Sequence, residues 1–341
     1  MQMRDDLGIT TKLENGKAYL EFALPEKIGR LLSALQIEIW EGAEGERLVF
    51  HGEYSSEEAD SMTALLLRPH LWDGMRDPYV YLVKAQGRFR SVEYGEKMGG
   101  MEKEEKLDPA EDITGEVEMY WRQELTIYDV RVVEKKGILL NEKEFLPHEV
   151  VYRLPPQISD AGTRVEQVRR DLERLVQMGV NVIRLEGTGT GAEGVNCSEV
   201  RTFYSLCRKR GFLTGDLWIR PENLPVYRGL PGETTCQALL AADGRTLTER
   251  YYYYQAKWSS EPVLYPVLST LHRQENGLLS LTIYSNQKKV VLYVDGVLFL
   301  FQSAASGDPE FIFEDIPVAK LPLHLAVEAG NLSISLTVTK L

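Results

Sequence analysis

The chain has 341 residues, 43% hydrophobic and 26% charged, with 39 basic against 51 acidic side chains and a net charge of −12. That is the balance of a soluble globular protein with chain enough for two or three cores, and its acidic surplus, without a basic patch, excludes a nucleic-acid partner. No apolar run approaches the roughly 18 residues of a membrane span, the opening MQMRDDLGITTKLENG holds no signal core, and a cytoplasmic location is expected.

From Leu7 to Val133 the pattern is that of short strands. Ala18-Tyr19-Leu20-Glu21-Phe22-Ala23-Leu24 and Leu35-Gln36-Ile37-Glu38-Ile39-Trp40 alternate apolar with polar positions, and Thr63–Leu67 and Tyr79–Val83 follow. Glu14-Asn15-Gly16 and Glu41-Gly42-Ala43-Glu44-Gly45 supply turns, so a β-sandwich of about 100 residues is predicted. Ser91 to Glu118 is charged and Gly-rich with almost nothing to bury, and reads as a hairpin or loop.

The period then changes. Gly137-Ile138-Leu139-Leu140 reads as a short strand, and Val165 to Met178 as an amphipathic helix stopped by Gly179. Val180–Leu185 follows as a buried strand, Ser198 caps a helix that ends at Gly211, and Phe212–Ile219 returns as a third strand. This alternation predicts a parallel sheet. Gly189 to Gly194 satisfies G-x-G-x-x-G with Asp216 some way downstream, but the following helix starts too late for its N–H groups to face the glycines, so no nucleotide cofactor is expected. Cys197, Cys207 and Cys236 lack C-x-x-C spacing and the five histidines lack ligand spacing, so no disulfide framework and no metal site are expected.

After the Pro- and Gly-rich Pro221 to Gly232, Tyr251 to Trp258 reads as a last helix. Strands are then predicted at Leu278–Tyr284, Lys289–Val294, Val297–Phe301, Phe311–Phe313, Leu323–Val327 and Leu332–Val338, with Asp295-Gly296 as a hairpin turn. The divisions are 1–134, 135–258 and 259–341.

Several phrases resemble glycoside hydrolase family 2, the family of β-galactosidases and β-glucuronidases. Pro69-His70-Leu71-Trp72-Asp73-Gly74 with Pro78-Tyr79-Val80-Tyr81 is similar to the end of its immunoglobulin-like domain. Gly137 to Phe145 resembles the entry to its catalytic barrel, with Glu142 where a glycine is usual. Val168 to Arg184 resembles the first helix and second strand, Phe203 to Phe212 the second helix and third strand, and Asp243 to Val263 the exit into a C-terminal sandwich.

The resemblance implies an immunoglobulin-like β-sandwich, a truncated (β/α) barrel remnant of about three parallel strands and a C-terminal β-sandwich. A complete barrel needs about 250 residues, and Gly137 to Trp258 offers half of that. The segments that carry the family's general acid and nucleophile are absent from this reading, as is its N-terminal sugar-binding domain. Retaining hydrolysis needs two carboxyls about 5–5.5 Å apart, and three strands present one side of a sugar.

The candidate carboxylates are Glu186, at the end of the second strand, with Asp216 and Glu222 around the third. Arg184, His148 and Trp218 are the candidates for touching substrate. Against these stand structural readings: a salt-bridged Glu186, an internal ion pair for Arg184, and core packing for Trp40, Trp72, Trp218, Tyr251–Tyr254 and Trp258. The expected function is that of a non-catalytic relative that binds carbohydrate or assembles as a homodimer or with a partner glycosidase subunit. A glycosidase with an unconventional site and a structural protein without sugar affinity are the alternatives.

Overall fold

The alternation in Lys17–Ala23 becomes burial residue by residue: Ala18, Leu20 and Phe22 are buried and their neighbours exposed. In this computed structural model the described residues are 7–92, 113–155, 161–186, 197–214, 224–229, 238–304 and 307–340. They fall into two units, Met1–Phe145 and Leu146–Leu341.

The first unit contains β1 (Gly8–Glu14), β2 (Lys17–Ala23), the short helix α1 (Glu26–Gly29), β3 (Leu32–Glu41), β4 (Arg47–Ser55), β5 (Thr63–Leu67), β6 (Tyr81–Val92) and β7 (Ile113–Leu125). Sheets β1-β2-β5 and β4-β3-β6-β7 form a sandwich around Leu20, Phe22, Ile37, Ile39, Val83, Phe89 and Ile127. Two faces that each bury every second side chain account for the alternation. Beyond them β8 (Val130–Val133), β9 (Gly137–Leu140) and β10 (Lys143–Glu144) form an antiparallel meander.

Gly137–Leu140, expected to open the parallel sheet, therefore belongs to this meander. The reason is local. Asn141 and Glu142 both adopt the left-handed conformation, φ 49° and 66°, in the two-residue turn that pairs Leu140 with Lys143. Asn141 locks the turn by donating Nδ2 to the Trp72 carbonyl (2.9 Å) and accepting the Asp129 amide on Oδ1 (3.0 Å).

In the second unit the parallel strands are β11 (Glu149–Tyr152), β12 (Val182–Leu185), β13 (Leu213–Thr214), β14 (Val226–Arg228) and β15 (Ala238–Leu240), alternating in part with helices α2 (Ala161–Met178), α3 (Cys197–Lys209) and α4 (Glu249–Trp258). The sheet order is β13-β12-β11-β14-β15, with every pairing parallel. Among the described residues five strands replace the expected three. β14 and β15 are three residues each and lie around the Pro- and Gly-rich passage, too short for a periodicity to show. Val150, Tyr152, Ile183, Leu185, Tyr227 and Leu239 pack with Leu172, Leu175, Met178, Phe203 and Tyr251, so all three helices cover one face.

The tail is a second sandwich. Its sheets are β16 (Leu264–Arg273), β17 (Leu279–Ser285) and β20 (Glu310–Ile316), ordered β16-β17-β20, and β18 (Lys289–Val294), β19 (Val297–Ser303), β21 (Leu323–Ala329) and β22 (Leu332–Val338), ordered β19-β18-β21-β22. α4 joins it to the helical layer: Tyr251 Oη donates to the Arg174 carbonyl (2.9 Å), while Tyr252 stacks on Tyr265 at 3.8 Å and Tyr253 meets Tyr284 edge-on. These tyrosines are packing anchors. Among the described residues no helix is long and apolar enough to cross a membrane.

Candidate functional site

Parallel strands gather functional groups at their carboxyl ends. There Glu186, just past β12, faces Arg153, just past β11. The guanidinium binds the carboxylate through two donors, Nε to Oε2 and Nη2 to Oε1 (3.2 Å), and its Nη1 donates to the Arg228 carbonyl at the end of β14 (3.2 Å). One arginine thus ties the ends of three adjacent strands, with Glu186 as its counter-charge. Two other described carboxylates lie at this edge: Glu199, in the first turn of α3, is ion-paired to Arg164 in the first turn of α2 (2.6 Å), and Asp243, beyond β15, is folded into its own turn. It accepts from the Thr246 hydroxyl (2.5 Å) and from the Thr246 and Arg245 amides (2.9 and 2.8 Å). These bonds, the hydroxyl first, hold its carboxyl down at about 2. A carboxyl so placed stays ionised at neutral pH and cannot serve as a general acid.

Arg184 points to the sheet face away from the helices and donates Nε to Glu149 Oε1 (2.9 Å), whose side chain is buried. His148, a candidate for touching substrate, lies at the amino end of the sheet, because β11 starts at Glu149. Its Nδ1 meets the Gly179 carbonyl (2.8 Å), its amide donates to Asn181 Oδ1 (2.7 Å), and its ring stacks on Trp258. Burial pushes its pKa down. Asp216, Glu222 and Trp218 lie outside the described residues, as does the Gly189–Gly194 run. Among the described residues no group of three His, Cys, Asp or Glu side chains is placed to hold a metal ion.

A buried hub that sequence reading missed lies between α2 and the sheet. Asp171 accepts from the Tyr152 hydroxyl (2.9 Å), the Tyr227 hydroxyl (3.1 Å) and Arg228 Nη2 (2.6 Å). Burial is the main reason that both phenols are pushed up, with the Asp171 charge second. The available signal was an acid inside an amphipathic helix, at a position that the apolar spacing turns inward.

A second polar concavity lies on the outer face of the β4-β3-β6-β7 sheet, a groove of about 580 Å³. Strand register explains it. One rung across the sheet runs Glu53, Gln36, Gln86, Tyr120, and the next Ser55, Ala34, Arg88, Glu118. Ala34 and Ser55 are short side chains beside long ones, so the surface dips over them. Gln86 Nε2 donates to the Tyr120 hydroxyl (3.1 Å), which donates to Glu118 (2.5 Å), fixing a ring that is 67% exposed. Amides, carboxylates and a guanidinium beside a held aromatic face offer both donors and acceptors to a hydroxylated ligand.

No protein-family model matches the chain, and no curated protein matches it. Solved structures do. An FMN-binding β-glucuronidase from Facaelibacterium prausnitzii has a TM-score of 0.61 at 14% identity over 98% of this chain and 74% of that one. A β-glycosidase from Bacteroides vulgatus has a TM-score of 0.63 at 12% identity over 98% of this chain and 64% of that one. A glycosyl hydrolase family 2 member from Bacteroides cellulosilyticus has a TM-score of 0.60 at 12% identity over 98% and 63%. The chain has a fold like that of glycoside hydrolase family 2, and it spans less than two thirds of the length of the last two.

Proposed function

We propose that this protein binds carbohydrate without hydrolysing it, on a glycoside hydrolase family 2-like fold whose parallel sheet is a five-stranded barrel remnant. The observation that carries the non-hydrolytic reading is the Arg153–Glu186 clamp. Retaining chemistry requires one carboxyl kept protonated opposite one kept ionised. Among the described residues at that edge, Glu186 is bound by two guanidinium donors, Glu199 by Arg164 and Asp243 by its own turn.

The groove over Ala34 is where a sugar fits. Gln36 and Gln86 each present an amide able to span two hydroxyls, Arg88 supplies further donors, and Tyr120 offers a flat apolar face.

The test pairs a panel of aryl glycosides with an array of oligosaccharides. No turnover, together with glycan binding that Ala34→Leu removes and Glu186→Gln leaves intact, is expected. Turnover abolished by Glu186→Gln would establish the glycosidase alternative instead. Absence of binding to every glycan would leave a structural role, and binding unchanged in Ala34→Leu would move the sugar elsewhere.

A further inference from the structure

The C-terminal sandwich exposes a strand that has no reason to face water. β19 reads VLFLFQS and carries no charge. Val297 is 69% exposed, Leu298 55%, Leu300 42% and Phe301 53%, and nearby Ile312 on β20 is 50% exposed. The two strands are linked by Gln302 Nε2 donating to the Ile312 carbonyl (2.6 Å). Among the described residues β19 is also an edge: it pairs with β18 on one side only. Natural edge strands are blunted by lysine, proline or inward charges. β19 itself carries none of these, the lysine nearby being Lys289 of β18 over the Phe301 ring, and the bulge between the Leu292 and Tyr293 pairings leaves Leu300 to Ser303 in regular register.

We propose that β19 is the interface with a second copy of this chain, the two edges pairing antiparallel about a twofold axis near Leu300 and Phe301. Three features select a copy over an unrelated partner. An open strand edge is self-complementary under a twofold, because its outward donors and acceptors meet their own counterparts. The strand is uncharged in a chain of net charge −12, with the Lys289 ammonium over the Phe301 ring (4.1 Å to its centroid), so two copies approach there without the acid–acid repulsion they meet elsewhere. Finally, the exposed apolar side chains come from one seven-residue strand and Ile312 beside it, a narrow contact, so a reversible dimer is expected and not an obligate one.

Sedimentation velocity from about 1 to 200 µM, bracketing a micromolar dissociation constant, is expected to show a shift from monomer to dimer. Leu300→Lys places two like charges near the axis and should raise the dissociation constant at least about tenfold. Val297→Lys, at a side chain too exposed to matter for folding, should weaken it in the same direction. Hydrogen exchange at β19 amides should slow as concentration rises. A monomer throughout the range, or a dimer indifferent to both lysines with β19 exchange unchanged, would overturn the proposal.

Discussion

Asp171→Asn tests the buried hub most severely. The substitution keeps the shape of the side chain and removes its charge, leaving the Arg228 guanidinium, 6% exposed, without its counter-ion at 2.6 Å. Breaking one side of a buried pair costs about 3–5 kcal/mol. One acceptor oxygen also becomes a donor, so one of the two tyrosine hydroxyls loses its partner. Arg228→Met is milder, because Asp171 keeps both hydroxyls and has Arg174 Nη1 at 3.7 Å. The double variant should therefore cost less than the sum of the singles, by about 1.5–3 kcal/mol of coupling. Urea unfolding followed by far-UV circular dichroism and tyrosine fluorescence measures all three. Single-variant costs that add within about 0.5 kcal/mol, or an Asp171→Asn variant as stable as the parent, would refute the hub.

Other expectations follow from single sites. Gly179 has φ +87°, and a Cβ there would lie 2.4 Å from the Trp258 carbonyl oxygen, so Gly179→Ala should lose about 2–4 kcal/mol in the same unfolding assay. Glu142 sits at φ 66°. Its left-handed cost of about 1–2 kcal/mol exceeds the 0.5–1 that glycine forfeits in chain entropy, so Glu142→Gly should stabilise by about 0.5–1 kcal/mol in thermal melts. His148 is neutral in the fold because burial lowers its pKa. Above about pH 6.5 it is neutral folded and unfolded alike; as pH falls below that, the unfolded chain binds the proton first and stability drops. His148→Phe, which keeps a ring against Trp258, should flatten that slope in urea midpoints measured down to pH 5.

The sandwiches were legible because half-buried strands write their own period. Ala18, Leu20, Phe22, Ile37 and Ile39 announce their face, and Asp295-Gly296 announces its turn. α2 was legible for the same reason at a different period. Of the parallel strands, β12 and the start of β13 were legible as Val180–Leu185 and Phe212 onward, while β11, β14 and β15 were not. Glu149–Tyr152 is buried at every position, so no alternation marks it, while Gly137–Leu140, four apolar-looking residues before it, mimics it. β14 and β15 are shorter than any repeat. The candidate site suffered most, since ligand-facing and ion-paired carboxylates look alike in sequence: nothing in Arg184-Leu185-Glu186 reveals that a side chain at 153 will close on it.

That closure also gives a polar pair at a sheet edge a structural role. Strands of two to four residues have few ladder bonds to hold them, and β14 meets β11 through one paired position, Val151 with Val226. Arg153 adds one donor across that seam, to the Arg228 carbonyl, and two on the β12 side, to Glu186. Charge-assisted bonds of this geometry are directional and roughly twice as strong as neutral ones, so they fasten strand ends where hydrogen-bond ladders are shortest. The same guanidinium, seated on the carboxylate, occupies the oxygens that a glycosidic bond would need. Arg153→Ala separates the two roles. It should loosen β11, β12 and β14 in hydrogen exchange while freeing Glu186, and if Glu186 holds residual catalytic competence, hydrolysis of aryl glycosides will emerge in that variant alone. Looser strands with no hydrolysis are expected here; hydrolysis without loosening would mean the clamp guards a site instead of bracing a sheet.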